Sequence, residues 1–287
     1  SELTRERLEI DCGKEYLSLN DSRQVAATTQ FAKDLLDNRL RAAKYAGTAD
    51  SLIGASNWAD GTLAKALAKK GPNPKPSDYH GMECIAQLCS GDISYLLHVY
   101  SRIFDLGNVT RSTATTVPAY IQDKAIVEVS SKLLEAVKSF YPSGLEMHGI
   151  VLAFGNLVRR VLQDAKPQSD GDPTQIPRIE IDEDKGDAKV NLSVQQNELA
   201  WELVRRAIFI EMESGLSRHR NVTTLRWSIR RIYLPAFRAA LTKNDAVKRG
   251  ADWFSVFLSD PRRACKQVFR ERGKPRDERQ LEIFDKS

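Results

Sequence analysis

The chain lacks any apolar run of about 20 residues, so no segment reads as a helix able to cross a bilayer, and no membrane partner is expected. It lacks GxxxxGKS or GxxxxGKT, and with it the backbone cradle and lysine that hold nucleotide phosphates. It lacks the GxSxG elbow of a serine hydrolase, and His80, His98, His148 and His219 stand far apart without a motif around any of them. Cysteine is scarce: Cys12, Cys84, Cys89 and Cys265 show no framework spacing, which excludes a disulfide-stapled fold and fits reduced thiols. The opening "SELTRERLEIDCGKEY" is charged from the start and carries no signal-peptide pattern. These absences together predict a cytoplasmic protein with no ready-made catalytic motif. A site assembled from distant residues stays open.

What is present is ordinary globular material, 41% apolar and 28% charged, in a chain long enough for two or three modest domains. No internal repeat occurs. "LNDSRQVAATTQFAKDLLDNRLRAAKYAG" reads as a helix, capped near Asn20 to Ser22, stopped at Gly47, with Phe31, Leu35, Leu36 and Leu40 as its apolar stripe. A weaker helix is predicted through "TLAKALAKKGP" and a loop from Pro72 to Asp78. "YHGMECIAQLCSGD" is a short helix, and Asp92 caps the amphipathic "DISYLLHVYSRIFDLG". Two long amphipathic helices follow, one through Ile121, Ile126, Val129 and Leu134, the other through Ile150, Phe154, Val158 and Leu162. "YPSG" turns the chain between them, predicting an antiparallel hairpin.

Composition then shifts to Pro, Gly, Asp and Ser in "DAKPQSDGDPTQIP", a linker that sets a boundary near residue 170. Beyond it the pattern reads strand "RIEID", polar turn, "AKVNL", helix "QQNELAWELVRRA", strand "IFIEM", loop Glu213 to Thr224, strand "LRWSIRRIYL", and two closing helices. The last of these, "PRRACKQVFRER", is capped by Asp260-Pro261. Helix, strand, basic loop, strand is a winged-helix order. The fold class is therefore mainly α: a helical lid-like bundle (1–117), a helical hairpin (118–170), and a winged-helix-like α+β domain with C-terminal helices (171–287).

Charge is concentrated in one place. Residues 218 to 250 hold nine cations against Asp245 alone, a net +8, while the whole chain is only +5 and the remainder therefore sums to −3. Local charge of one sign addresses a partner more readily than it serves solubility. In a winged helix the loop and the helix before it can straddle a DNA backbone, and arginine offers phosphate a planar bidentate partner. The residues expected to contact duplex DNA are Arg205 and Arg206 at the helix end, Arg218, His219 and Arg220 at the wing tip, and Arg226, Arg230 and Arg231 on the second wing strand. The alternative is a strand face whose arginines pair with acidic residues elsewhere in the chain. Trp227 and Tyr233 are expected in the core rather than stacked on bases.

Other clusters are weaker. His80, Cys84, Cys89 and His98 fall within nineteen residues, but loosely for zinc, and buried cysteines beside unrelated histidines explain them as well. No metal site is expected. "RIEIDED" resembles a strand ending in magnesium-binding acids, but it has no phosphate cradle to serve. The pair Glu180 and Asp182 reads as solvated carboxylates on an exposed hairpin.

The order of elements resembles the origin-recognition family of AAA+ ATPases. "CSGDISYLLHVYSRIF" resembles the second sensor region of the lid, where a Gly-Asp pair opens a helix against the nucleotide. "VPAYIQDKAIVEVSSKLLEAV" and "LRWSIRRIYLPAFRAALTKNDA" with "FLSDPRRACKQVF" are similar to the C-terminal part of bacterial members, the likeness covering residues 20 to 270. It implies that Gly91 and Asp92 sense nucleotide, although Ser94 stands where the family has an arginine. It implies a lid and a DNA-binding winged helix as part of a longer ATPase, a reading that the first residue, Ser1 rather than Met, fits. No cofactor is expected in this chain, ATP and magnesium belonging to an upstream core, and no catalysis is expected of it alone. The expected partner is duplex DNA, with self-association or a partner protein through the helical region. The alternative is an adaptor whose basic face docks an acidic protein.

Overall fold

Apolar spacing at three and four residues builds the N-terminal half. The computed structural model describes residues 22–54, 79–90, 92–164, 178–182, 192–212, 224–239 and 246–273. Helix α1 (Ser22–Ala42) buries Ala32, Leu36 and Leu40, an i, i+4, i+8 row, which leaves Phe31 off the stripe and 46% exposed. A short α2 (Ala49–Ile53), which the sequence pattern did not announce, starts on a capping box: Thr48 Oγ1 accepts from the Ser51 amide and Ser51 Oγ from the Thr48 amide. Helix α3 (Met82–Cys89) is buried almost all round, and α4 (Ile93–Leu106) begins at the Asp92 cap.

Helix α5 (Ala119–Ala136), a 3-10 turn (Val137–Ser139) and α6 (Gly144–Asp164) follow. These are the two helices of the expected hairpin, but each packs mainly elsewhere. Helix α5 lies against α4 and a later 3-10 segment; α6 lies against the last helix. The predicted helix through "TLAKALAKKGP", the loop 72–78 and the "AKVNL" strand up to Asn191 lie outside the described residues.

The remaining elements are β1 (Arg178–Asp182), α7 (Val194–Arg205), β2 (Phe209–Met212), β3 (Thr224–Ile229), a 3-10 segment (Arg231–Phe237), β4 (Val247–Gly250), α8 (Ala251–Ser259) and α9 (Pro261–Gly273). The sheet order is β2-β3-β1-β4. Strand β3 is antiparallel to both β1 and β2, whereas β4 runs parallel to β1. The fold is thus mainly α with a winged-helix-like α+β part. Strand β4 was invisible in "VKRG", because pairing with β1 creates it rather than any local preference.

The predicted strand "LRWSIRRIYL" ends early. On β3, Trp227, Ser228 and Ile229 are already buried in succession, and every residue from Arg231 to Pro235 is buried as well. Pro235 offers no ladder amide, and the chain coils into the 3-10 segment packed against α5 instead of extending the strand.

Inward residues of the sheet meet an aromatic cluster. Phe154, Phe209, Trp227, Phe254 and Phe257 stack and tilt with ring centroids 5.0 to 6.3 Å apart. Buried side chains from Ala32 to Val268 form one core, drawn from all three expected segments. Trp227 and Tyr233 are core residues, as expected.

Candidate nucleic-acid interface

The basic stretch divides into two groups. The first is turned inward. Asp92 caps α4 by accepting from the Ser94 and Tyr95 amides through Oδ1 at 2.9 and 3.2 Å, and its Oδ2 accepts from Arg230 Nη2 at 2.9 Å. The Arg230 guanidinium lies 4.6 Å over the Tyr95 ring. The next residue, Arg231, is 4% exposed and donates through Nη1 to the Gln87 carbonyl at 3.1 Å and to Gln87 Oε1 at 2.7 Å. At the far end of the 3-10 segment, Arg238 Nη1 meets both oxygens of Asp123 at 2.7 and 2.8 Å. That carboxylate is fully buried and also accepts from the Tyr79 amide, while the Tyr79 hydroxyl donates to Ala239.

Three arginines therefore rivet the segment after β3 to α3, to the cap of α4 and to α5. Arg231, expected on a DNA-facing surface, is a core residue, and Arg230 is only 12% exposed at its side chain. A buried guanidinium needs acceptors, and for Arg231 Nη1 the helical half supplies both the carbonyl and the side-chain oxygen of Gln87. Gln87 and Asp123 were missed in the sequence. Their signal was a polar residue on an apolar face: Gln122, Asp123 and Ser130 share the buried side of α5 with Ile126 and Val129. The Ala236 amide donates to Ser130 Oγ on the same face.

The second group sits around the sheet and α7. Glu180, expected on an exposed hairpin, is 7% exposed on a central strand. Its register neighbours are Arg226 on β3 and Lys248 on β4. Arg178, Arg226 and Lys248 approach its carboxylate at 2.8, 3.6 and 3.8 Å, three cations on one acid. Arg205 and Arg206 both hold Glu202. Burial alone would raise that carboxyl, but the hydrogen bonds from Arg205 and then Arg206 hold it below the usual range. Arg206 also donates to the Tyr141 carbonyl and lies over Phe140, whereas the Arg205 side chain stays 54% exposed. Gly91, Arg218, His219 and Arg220 lie outside the described residues.

Two other expected features take definite form. Cys84, Cys89 and Cys265 are free and buried. Burial raises the Cys84 and Cys89 thiols well above their ordinary value and pushes Cys265 up to about 12, so all three act as small protonated hydrophobes. His98 is exposed and His80 half-buried, and among the described residues no three ligating side chains gather around a metal-sized space. Nor is any described helix long and apolar enough to cross a membrane.

The described residues thus form a mainly helical body riveted to a small four-stranded sheet ordered β2-β3-β1-β4. The ORC-CDC6-like family model matches residues 14–248, so the chain belongs to the ORC-CDC6-like family, among the AAA+ ATPase-related proteins. No curated protein and no solved structure was found to match it.

Proposed function

We propose that this chain is the DNA-contacting and coupling portion of an AAA+ ATPase-type protein. The observation that carries the reading is the excess of cations on the sheet, where Arg178 of β1, Arg226 of β3 and Lys248 of β4 share one carboxylate. Strand β3 is joined to β2 through residues 213–223. That connection contains Arg218, His219 and Arg220. With the half-exposed Arg205 on the helix preceding β2, these side chains form the grip, a winged helix holding the phosphate backbone by charge rather than reading bases. Membership of the ORC-CDC6-like family supports the ATPase-related part of this reading.

Coupling runs through the rivets. The cap of α4, where nucleotide sensing was expected, is bonded to the residue that ends β3, so a displacement of the helical half moves the strand carrying the grip. ATP itself does not fit this chain. The sequence has no phosphate cradle, and both oxygens of Asp92 are taken, Oδ1 by the α4 amides and Oδ2 by Arg230. No chemical step through the nucleotide is assigned to it.

The test is fluorescence anisotropy with a labelled duplex over a series of salt concentrations. The logarithm of the association constant should fall linearly with that of salt, and Arg218→Ala with Arg220→Ala should flatten the slope by about 2, given about 0.9 per phosphate contact. Equal affinity at low and high salt would overturn the reading.

A further inference from the structure

Helix α9 carries a row of cations whose side chains meet no acid among the described residues. Arg262, Arg263, Lys266 and Arg270 are all exposed, and among the described residues none of their side chains has a hydrogen bond or ion pair. At 100° per residue these four positions fall within one 100° sector, opposite the buried Ala264, Cys265 and Val268. The acids beside them are engaged elsewhere. Asp260 accepts from the Arg263 backbone amide, and Glu271 is held by Arg249 of β4 and by Gln267. Arg160 of α6 adds a cation at the edge of the row, 5.8 Å over the Phe269 ring.

Such a row costs stability. Arg262 and Lys266, then Lys266 and Arg270, are like charges one turn apart, and the first two arginines sit at the helix end whose dipole repels cations. The pattern is the reverse of that in residues 226–249, where every described arginine has found an acceptor. A cost left standing implies a partner that removes it on binding.

We propose that the exposed face of α9 is a second docking surface for the phosphate backbone of duplex DNA. The four cations span nine residues, about 12 Å of helix, against which a duplex presents about seven phosphates. The exposed sector holds Gln267 and no apolar residue, so it offers nothing to the hydrophobic centre of a protein interface. It offers nothing to a lipid surface either, since the apolar side of α9 is already packed against α6 and α8. The face lies beyond residues 14–248, which the family model matches. The inference rests on the nucleic-acid reading above but on different residues.

The experiment compares the wild-type chain, a glutamine variant (Arg262→Gln, Arg263→Gln, Lys266→Gln, Arg270→Gln) and a lysine variant (Arg262→Lys, Arg263→Lys, Arg270→Lys). Each is titrated with labelled duplex across salt and, separately, with polyglutamate. The glutamine variant should keep its circular-dichroism spectrum and melt no lower than wild type, bind duplex roughly tenfold or more weakly near 0.1 M salt, and show a salt slope lower by three to four. The lysine variant should bind as wild type. If the glutamine variant binds with the wild-type slope, the inference falls while the Arg218 and Arg220 reading stands. If it loses polyglutamate but not duplex, the face docks an acidic protein and the inference is overturned. Should wild type bind no duplex at any salt, both readings fall.

Discussion

Arg238 has a φ of 53°, the left-handed region that a non-glycine residue occupies only when something compensates. Here that compensation is a buried carboxylate bound through both oxygens. Removing either partner strands a charge inside the protein, so Arg238→Ala is expected to cost about 3–5 kcal/mol in urea unfolding, and Arg238→Lys should not fully restore it. Gly155 makes a second residue-scale prediction. A Cβ there would overlap the ring of Phe237, which closes directly on α6. Gly155→Ala should therefore destabilise by about 1–3 kcal/mol despite its better helix propensity, read as a lowered urea midpoint. The sequence showed neither contact, since Phe237 and Gly155 are 82 residues apart and no local pattern joins them. It did show that Trp227 and Tyr233 would be buried, Trp227 on the strand expected there and Tyr233 in a 3-10 segment that was read as more strand.

Among the elements, α6 carries a pH response. His148 is buried, with Nε2 3.3 Å from Glu135 Oε1. Burial lowers its pKa, Lys138 adds to that, and Glu135 partly opposes it. The unfolded chain therefore binds this proton more readily than the native one, so stability rises with pH across the window. In urea unfolding across pH, stability should fall as pH drops below about 6.5, the ordinary histidine value, and His148→Gln should flatten that limb of the profile. Helix α9 gives the opposite trade. Lys266→Glu turns two repulsive i, i+4 neighbours into attractive ones and should raise stability by a few tenths to about 1 kcal/mol while weakening duplex binding. Helix positions such as α9 were legible from spacing and caps, down to Asp260 before Pro261. Strand β4 and the 3-10 segment were not, because tertiary pairing and consecutive burial decide them.

For the whole molecule, the basic stretch has two destinations. Arg230, Arg231 and Arg238 bind the sheet half to the helical half, and the charge left for a polyanion lies at Arg205, around Glu180, and along α9. Sequence composition located the charge but could not sort it, since Gln87, Asp92 and Asp123 are 115 to 144 residues away from their arginines. The long helices were readable; the order of the strands and the rivets that join them to the helices were not.

The most direct measurement is a double-mutant cycle on Asp123 and Arg238 by urea unfolding. If the basic stretch is built into the fold, Asp123→Ala and Arg238→Ala together should cost well under the sum of the two single losses, with a coupling of roughly 1–3 kcal/mol. Losses that add to within about 0.5 kcal/mol would show that Arg238 is free in solution, and the division of the arginines between fold and partner would be wrong.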